Sequence, residues 1–293
     1  MTMRVLLATD GSSDAQAAGA WLATFSLPAD TTIRVVTVAP AAPAALAALG
    51  LRNVELVLRD EALVVAEMAR AALAPHVRVV EMDVRQGDPR EELVRAAEEW
   101  PADLVVLGAR GLGAVAGLLI GSVSLAVARH APCPVLVVPQ GARPVSSILV
   151  AVDGSEAAHR AATFAAALPL DSSVAVQLLA IVERPRYPST APAAAAGLLR
   201  AAIEDVVAER TAALEGALAR AAAAFGDRAP RVARRLVVGH PTEEIARAAE
   251  TYGADLLVLG ARGLGTLKRL LLGSVSDAIL RSAQRAVLIV RGE

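Results

Sequence analysis

GARGLGAVAGLLIGSVS, residues Gly108–Ser124, recurs at Gly260–Ser276 as GARGLGTLKRLLLGSVS. Each copy follows an apolar run that reads as a buried strand, Leu104–Leu107 (LVVL) and Leu256–Leu259 (LLVL), and each leads into a segment of helical spacing. The shared pattern is Gly-x-x-Gly, nine residues, then Gly-Ser: Gly108, Gly111, Gly121 and Ser122, and again Gly260, Gly263, Gly273 and Ser274. Glycines after a strand let the backbone turn tightly and approach a ligand closely. A Gly-Ser entering a helix offers unpaired N–H groups and a hydroxyl, which suit an anion such as phosphate. The same spacing twice is a far stronger signal than one such loop.

Outward from the loops, the two halves of the chain read alike. The first opens with strand Arg4–Thr9, ended by Asp10-Gly11-Ser12, and continues with helix Ala15–Phe25 and strand Thr32–Val38. Pro40–Leu51 is rich in alanine and proline and carries no clear pattern. Helix Glu55–Leu73, strand Val77–Arg85 and a helix opened by Gly87-Asp88-Pro89 follow. Strand Leu104–Leu107, the loop, helix Ser122–His130 and strand Val135–Val138 complete the unit. The second half repeats this order from Ser147–Val152 and Asp153-Gly154-Ser155 to Val287–Val290. Early landmarks are offset by 143 residues (Asp10 to Asp153) and later ones by 152 (Gly87 to Gly239, Gly108 to Gly260), so an insertion lies between strands two and three. This is an internal duplication. We expect domains at residues 1–141 and 146–293, with Gln140–Ser146 (QGARPVS) as linker.

Strands alternating with helices, nearly all of the strands uniformly apolar, imply an α/β fold with a parallel sheet covered on both faces. In such sheets ligands bind beyond the carboxyl ends of the strands, where strand order reverses. Asp10 and the Gly108 loop both sit at such ends. The final strands, Val135–Val138 and Val287–Val290, are short and apolar, and if they lay at the edge of their sheets, uncovered edges of that kind would invite aggregation. Pairing them with each other solves the problem and makes the chain an internal pseudo-dimer.

These residues make the chain resemble the universal stress protein family, specifically its tandem-repeat, ATP-binding members. The resemblance covers essentially the whole chain. It implies two doubly wound, Rossmann-like sheets of five parallel strands in the order 3-2-1-4-5, with ATP at the carboxyl edge of each. It implies that Asp10 and Asp153 hold the ribose, with Ala8 and Ala151 near the nucleoside and Val38 and Ile181 against the adenine. Leu107-Gly108 and Leu259-Gly260 would pass beside the nucleoside, and Arg110, Gly111, Arg262 and Gly263 would border the phosphates. Gly121-Ser122-Val123-Ser124 and Gly273-Ser274-Val275-Ser276 would bind phosphate. Mg2+ or Mn2+ commonly accompanies such a triphosphate, although no dedicated protein cage for a metal is visible. Beyond the internal pseudo-dimer, a homo-oligomer, a dimer of chains, is expected. The copies depart from each other where Lys268-Arg269 of the second loop face Ala116-Gly117 in the first.

Simpler readings exist residue by residue. Asp10 and Asp153 are also what a turn or helix cap would use, and the glycines could serve helix–sheet packing alone. Those readings account for each residue but not for the duplicated spacing. A P-loop would end in Gly-Lys-Ser/Thr, whereas both loops end in Gly-Ser after an apolar residue, Ile120 or Leu272. His76, His130, His159 and His240 show no metal-ligand spacing, and no nucleophile elbow occurs. No residue is marked as catalytic.

A net charge of −1 gives no long-range pull toward nucleic acid or an anionic membrane, and 2% aromatics leave no stacking platform for single strands. A single cysteine, Cys133, excludes an internal disulfide or a cysteine metal cluster. Gly111–Ala128 is uncharged, but its counterpart carries Lys268, Arg269 and Asp277, which argues against a membrane span. The start, MTMRVLLATDG, runs straight into a strand without a signal-peptide pattern. We therefore expect a soluble, cytoplasmic, nucleotide-dependent regulator of stress adaptation, its occupied state read by an unidentified protein partner. The alternative is a slow ATPase or phosphotransferase using the same sites, and a third reading has both sites vestigial.

Overall fold

A computed structural model describes residues 3–25, 27–41, 53–113, 117, 119–184, 193–263, 272–282 and 284–291. Most of the Pro40–Leu51 connection, Lys268 and Arg269, and residues 114–116 lie outside them.

The first half runs β1 (Arg4–Ala8), α1 (Ser13–Leu22), β2 (Thr32–Ala39), α2 (Asn53–Leu73), β3 (Val79–Gln86), α3 (Pro89–Glu99), β4 (Leu104–Gly108), α4 (Ser122–His130) and β5 (Val135–Val138). The second repeats it as β6 (Ser147–Val152), α5 (Glu156–Ala167), β7 (Ala175–Val182), α6 (Ala193–Ala223), β8 (Ala233–Val238), α7 (Pro241–Tyr252), β9 (Leu256–Gly260), α8 (Ser274–Ser282) and β10 (Ala286–Val290). The inserted chain lengthens a helix: α6 has 31 residues and α2 has 21.

All ten strands join one sheet in the order β3-β2-β1-β4-β5-β10-β9-β6-β7-β8. Each half is parallel with the expected 3-2-1-4-5 order, and the halves meet where β5 pairs antiparallel with β10. Val137 opposes Val287, Leu136 opposes Leu288 and Val135 opposes Ile289. The short apolar strands are thus interior, as the pseudo-dimer requires. The true edges are β3 and β8. These two are the exceptions to the apolar pattern: both are largely exposed and carry Glu81, Asp83 and Arg85 or Arg234 and Arg235. Charge on an exposed edge discourages pairing with another chain.

Alternation along the strands separates two cores. Val5, Leu7, Ile33 and Val35 pack with Trp21, Leu22 and Leu73, and this layer continues through Ile148 and Val150 to Leu214, Ala217 and Ala221. Leu6, Ala8 and Val36 face the other way, toward Leu93, Val127, Ile245 and Ile279. Both faces are buried, so β4, β5, β9 and β10 at the middle of the sheet carry no polar side chain. Alanines at helix positions facing the sheet, such as Ala18, Ala161 and Ala162, are fully buried and let helix and sheet approach closely. Cys133 is buried as well, and desolvation pushes its thiol up to about 12, which keeps it protonated and unreactive.

Helix starts follow local chemistry. Ser12 and Ser155 cap α1 and α5 through side chains that accept from Ala15 N and Ala158 N. The cap moves the start of α1 to Ser13, two residues before the sequence-based expectation. Asp88 caps α3 with Pro89 in its first turn, and Gly253 ends α7 in a left-handed conformation with φ 64°.

Carboxylates stitch the halves. Asp255, 4% exposed, accepts from Ser146 N, Ser146 Oγ and Ser147 N, fixing the end of the linker to the start of β9. Trp21 Nε1 donates to Arg143 O at 2.6 Å, holding the linker to α1. Across the seam Arg129 of α4 meets Asp277 of α8 at 2.6 Å, and Arg281 reaches the other oxygen of Asp277 at 2.7 Å. Partial burial pushes the Asp277 carboxyl up, but the hydrogen bonds from Arg281 and Arg129 outweigh it and hold the group below its usual range. Such a carboxylate stabilises the fold above its unfolded pKa, about 3.9, and that contribution is lost as pH falls through its lower folded value. Urea unfolding across pH should therefore show stability falling below about pH 4. Asp277→Asn should flatten that acid slope, and an unchanged slope would remove Asp277 as a contributor.

Candidate functional site

Each half holds one cleft at the carboxyl ends of its strands. The first is lined by the aliphatic residues Ala8, Val36, Leu93 and Leu107, by Val38 and Pro40, and by Asp10, Arg110, Gly111 and Gly121–Ser124. The second is lined by Ala151, Ile245 and Leu259, by Ile181, and by Asp153, Arg262, Gly263 and Gly273–Ser276. Every site residue named from the sequence lines one of these two cavities. Their volumes are about 530 and 840 Å³, the size of small-molecule sites. Both sit where order reverses, with β1 or β6 between neighbours reached in opposite directions.

The loop glycines do different jobs. A Cβ on Gly108 would stand 2.6 Å from Ala15 N and 2.5 Å from the Asp14 carbonyl carbon, and one on Gly260 would stand 2.7 Å from the Ala157 carbonyl carbon. These two glycines let the first turn of α1 or α5 sit directly on the strand end, which is the packing role. Gly121 and Gly273 have room for a Cβ, with nothing nearer than Ala109 O at 3.5 Å or Ala261 O at 3.4 Å. Their backbone N–H groups donate to those same carbonyls, which closes the loop against the strand. Gly121 occupies the N-cap of α4 without a side-chain cap, so that helix presents its first-turn N–H groups to the cleft.

Asp10 is both turn residue and cleft residue. One oxygen accepts from Ser12 N at 3.0 Å, and the other accepts from Leu112 N at 2.9 Å across the glycine loop. Asp153 makes the matching turn to Ser155 N at 2.9 Å. Gly11 and Gly154 follow with φ 79° and 83°, the left-handed region that a side chain disfavours. A carboxylate has about four lone-pair sites, so these bonds leave Asp10 able to accept from a hydroxyl in the cleft. Ser12 and Ser155 tie the loop further, donating to Arg110 O and Arg262 O. Ser124 and Ser276 are buried, and their hydroxyls donate to Gly108 O at 2.8 Å and Gly260 O at 2.7 Å. That commits the hydroxyl hydrogens to the strand and leaves Ser122 and Ser274, both exposed, as the hydroxyls open to the cleft.

Several lining residues escaped sequence reading. Pro89 and Leu93 of α3, and Gly239, His240 and Pro241 at the start of α7, bring a second helix N-terminus to each cleft. Arg184, Val206, Arg210 and Leu214 join the second. The Gly-Asp-Pro and Gly-His-Pro starts were visible in the chain, but their proximity to the glycine loop is set by the sheet. Asp14 was also missed. It is 2% exposed and accepts from both Arg110 N at 3.1 Å and Arg110 Nε at 3.3 Å.

A model of the universal stress protein family matches residues 1–139 and again residues 145–291. The chain belongs to that family, in its tandem form. A universal stress protein of Mycobacterium tuberculosis H37Rv is 29% identical over 309 residues, spanning 98% of this chain and 96% of the relative. A second from that organism is 30% identical over 252 residues, 80% of this chain and 75% of its own length. Among solved structures, a universal stress protein from Archaeoglobus fulgidus matches over 98% of both chains with 20% identity and a TM-score of 0.65, a likeness of fold. Among the described residues no helix is long and apolar enough to cross a membrane.

The two glycine roles separate experimentally. Gly108→Ala forces a Cβ into helix backbone and should cost about 1–3 kcal/mol in urea unfolding. Gly121→Ala makes only ordinary van der Waals contacts and should cost about 1 kcal/mol or less. Equal losses would contradict the division.

Proposed function

We propose that each half of this universal stress protein binds one ATP and that the chain acts as a nucleotide-dependent regulator in stress adaptation, its occupancy read by a protein partner. The observation that carries the reading is the convergence, twice, of Asp10 or Asp153, the Gly-x-x-Gly turn and the Gly-Ser helix start on one cavity of ligand size. The chemistry of the lining suits the parts of a nucleotide. Val38 or Ile181, half-buried at the end of the second strand, offers an apolar face for adenine. Asp10 or Asp153 offers lone pairs to the ribose hydroxyls. The N–H groups of Ser122–Ser124 or Ser274–Ser276, the Ser122 or Ser274 hydroxyl and Arg110 or Arg262 offer donors to phosphate oxygens. Mg2+ or Mn2+ would bind through those oxygens and neutralise part of their charge. Among the described residues no group of three or more His, Cys, Asp or Glu is placed to hold a metal, so the ion would arrive with the nucleotide. We further propose that two chains associate as a dimer.

Nucleotide released by denaturing the protein, after saturation with ATP and magnesium and removal of excess ligand, tests the reading. Asp is a favoured N-cap residue, so Gly121→Asp and Gly273→Asp keep their helices while placing a carboxylate where phosphate would sit. Wild type should release close to two ATP per chain, each single variant one, and the double variant none. If equilibrium titration of wild type with ATP and magnesium showed no binding, the ATP reading would fall.

A further inference from the structure

The two clefts share a loop but not a charge. Arg110 of the first cleft lies against the buried carboxylate of Asp14 at 3.3 Å, which neutralises it. At the corresponding place in the second half stands Ala157, whose backbone contacts Gly260 as Asp14 contacts Gly108. The second cleft therefore lacks that negative charge.

Three further positions differ in the same sense. The long helices align through Val65 and Ala217, which face Gly11 and Gly154 respectively. That register sets Arg210, which lines the second cleft, opposite Leu58 in the first half. His240 caps α7 and lines the second cleft, where Asp88 caps α3 and engages Arg90 in the first. Arg184 lines the second cleft, where the first half has Ala41. One change runs the other way, Glu183 for Pro40. Among the described residues the second cleft is lined by three arginines and two carboxylates, the first by one of each, before Asp14 is included. The second cavity is also the larger, about 840 against 530 Å³.

We propose that the clefts discriminate differently by phosphate charge: the second favours nucleoside triphosphate steeply over nucleoside, whereas the first grips mainly the nucleoside end. This deepens the nucleotide reading above and rests on it. Arg184 and Arg210 of the second cleft can meet phosphate oxygens with charge-assisted hydrogen bonds, which are stronger than neutral ones. In the first, the guanidinium of Arg110 already meets the carboxylate of Asp14, so the pair offers phosphate no net charge. ATP and adenosine would then compete at the first cleft on similar terms, while occupancy of the second would follow the triphosphate.

Gly121→Asp leaves the second cleft to be read alone, and Gly273→Asp leaves the first. Each is titrated calorimetrically with adenosine, ATP and inorganic tripolyphosphate at two salt concentrations. The second cleft should prefer ATP to adenosine by about tenfold or more, the effect of one net charge-assisted contact, and should lose affinity for ATP as salt rises. The first should show a preference below about threefold. Arg210→Leu with His240→Asp imports the first half's residues at two exposed positions, and on the Gly121→Asp background it should lower the ratio of ATP to adenosine affinity about tenfold. Equal preferences in both clefts, or an unchanged preference in that variant, would overturn the inference. If adenosine and ATP bound neither cleft but tripolyphosphate still bound only the second, the adenine reading would fall and the charge difference would stand. If tripolyphosphate failed as well, both would fall.

Discussion

The structure depends on covering two strand edges that could not stand in water. β5 and β10 are four and five residues of uninterrupted valine, leucine, isoleucine and alanine, all buried. A strand of that composition at the end of a sheet would present unpaired backbone groups beside apolar side chains, a template for aggregation. Pairing the two antiparallel within one chain satisfies both rows of hydrogen-bonding groups and joins the halves into one sheet. It also merges the cores, since each of the two apolar layers runs from the first half into the second. The Arg129–Asp277 pair, set on the helices that start at the two glycine loops, then ties the sites to the seam.

The glycine loops show how residues that build the fold and residues that line the clefts share one segment without sharing reasons. Gly108 and Gly260 answer to packing, because the backbone of a helix turn lies where a side chain would be. Gly121 and Gly273 have space, and their positions open a helix start into the cleft. Asp10 serves both ends, since the bonds that shape the turn leave lone pairs facing the cavity. A site assembled this way is preorganised by contacts that also stabilise the fold, so few of its polar groups need a ligand to be satisfied.

Much of this was legible along the chain. The repeat and the strand–helix alternation are local or periodic features, and they led to two copies of an α/β unit with a parallel sheet; the strand order, and with it the β5–β10 pairing, followed from the family resemblance. The edge strands were less legible. Glu81, Asp83 and Arg85 break the apolar pattern of β3, and their meaning depends on lying at the outside of the sheet. Asp14 and Asp255 were invisible for another reason. A buried carboxylate reads as an ordinary surface aspartate until its partners, Arg110 in one case and the linker backbone in the other, are brought from about a hundred positions away.

The sequence by itself determined that the chain is two copies of one α/β unit and which loops would meet the first strand of each. Periodicity and glycine spacing encode those facts locally. Only the tertiary structure decided that the copies carry unequal clefts. Arg184, Arg210, His240 and Ala157 come from four separate segments, and a cavity's charge is a sum over residues that the fold, not the chain order, makes neighbours.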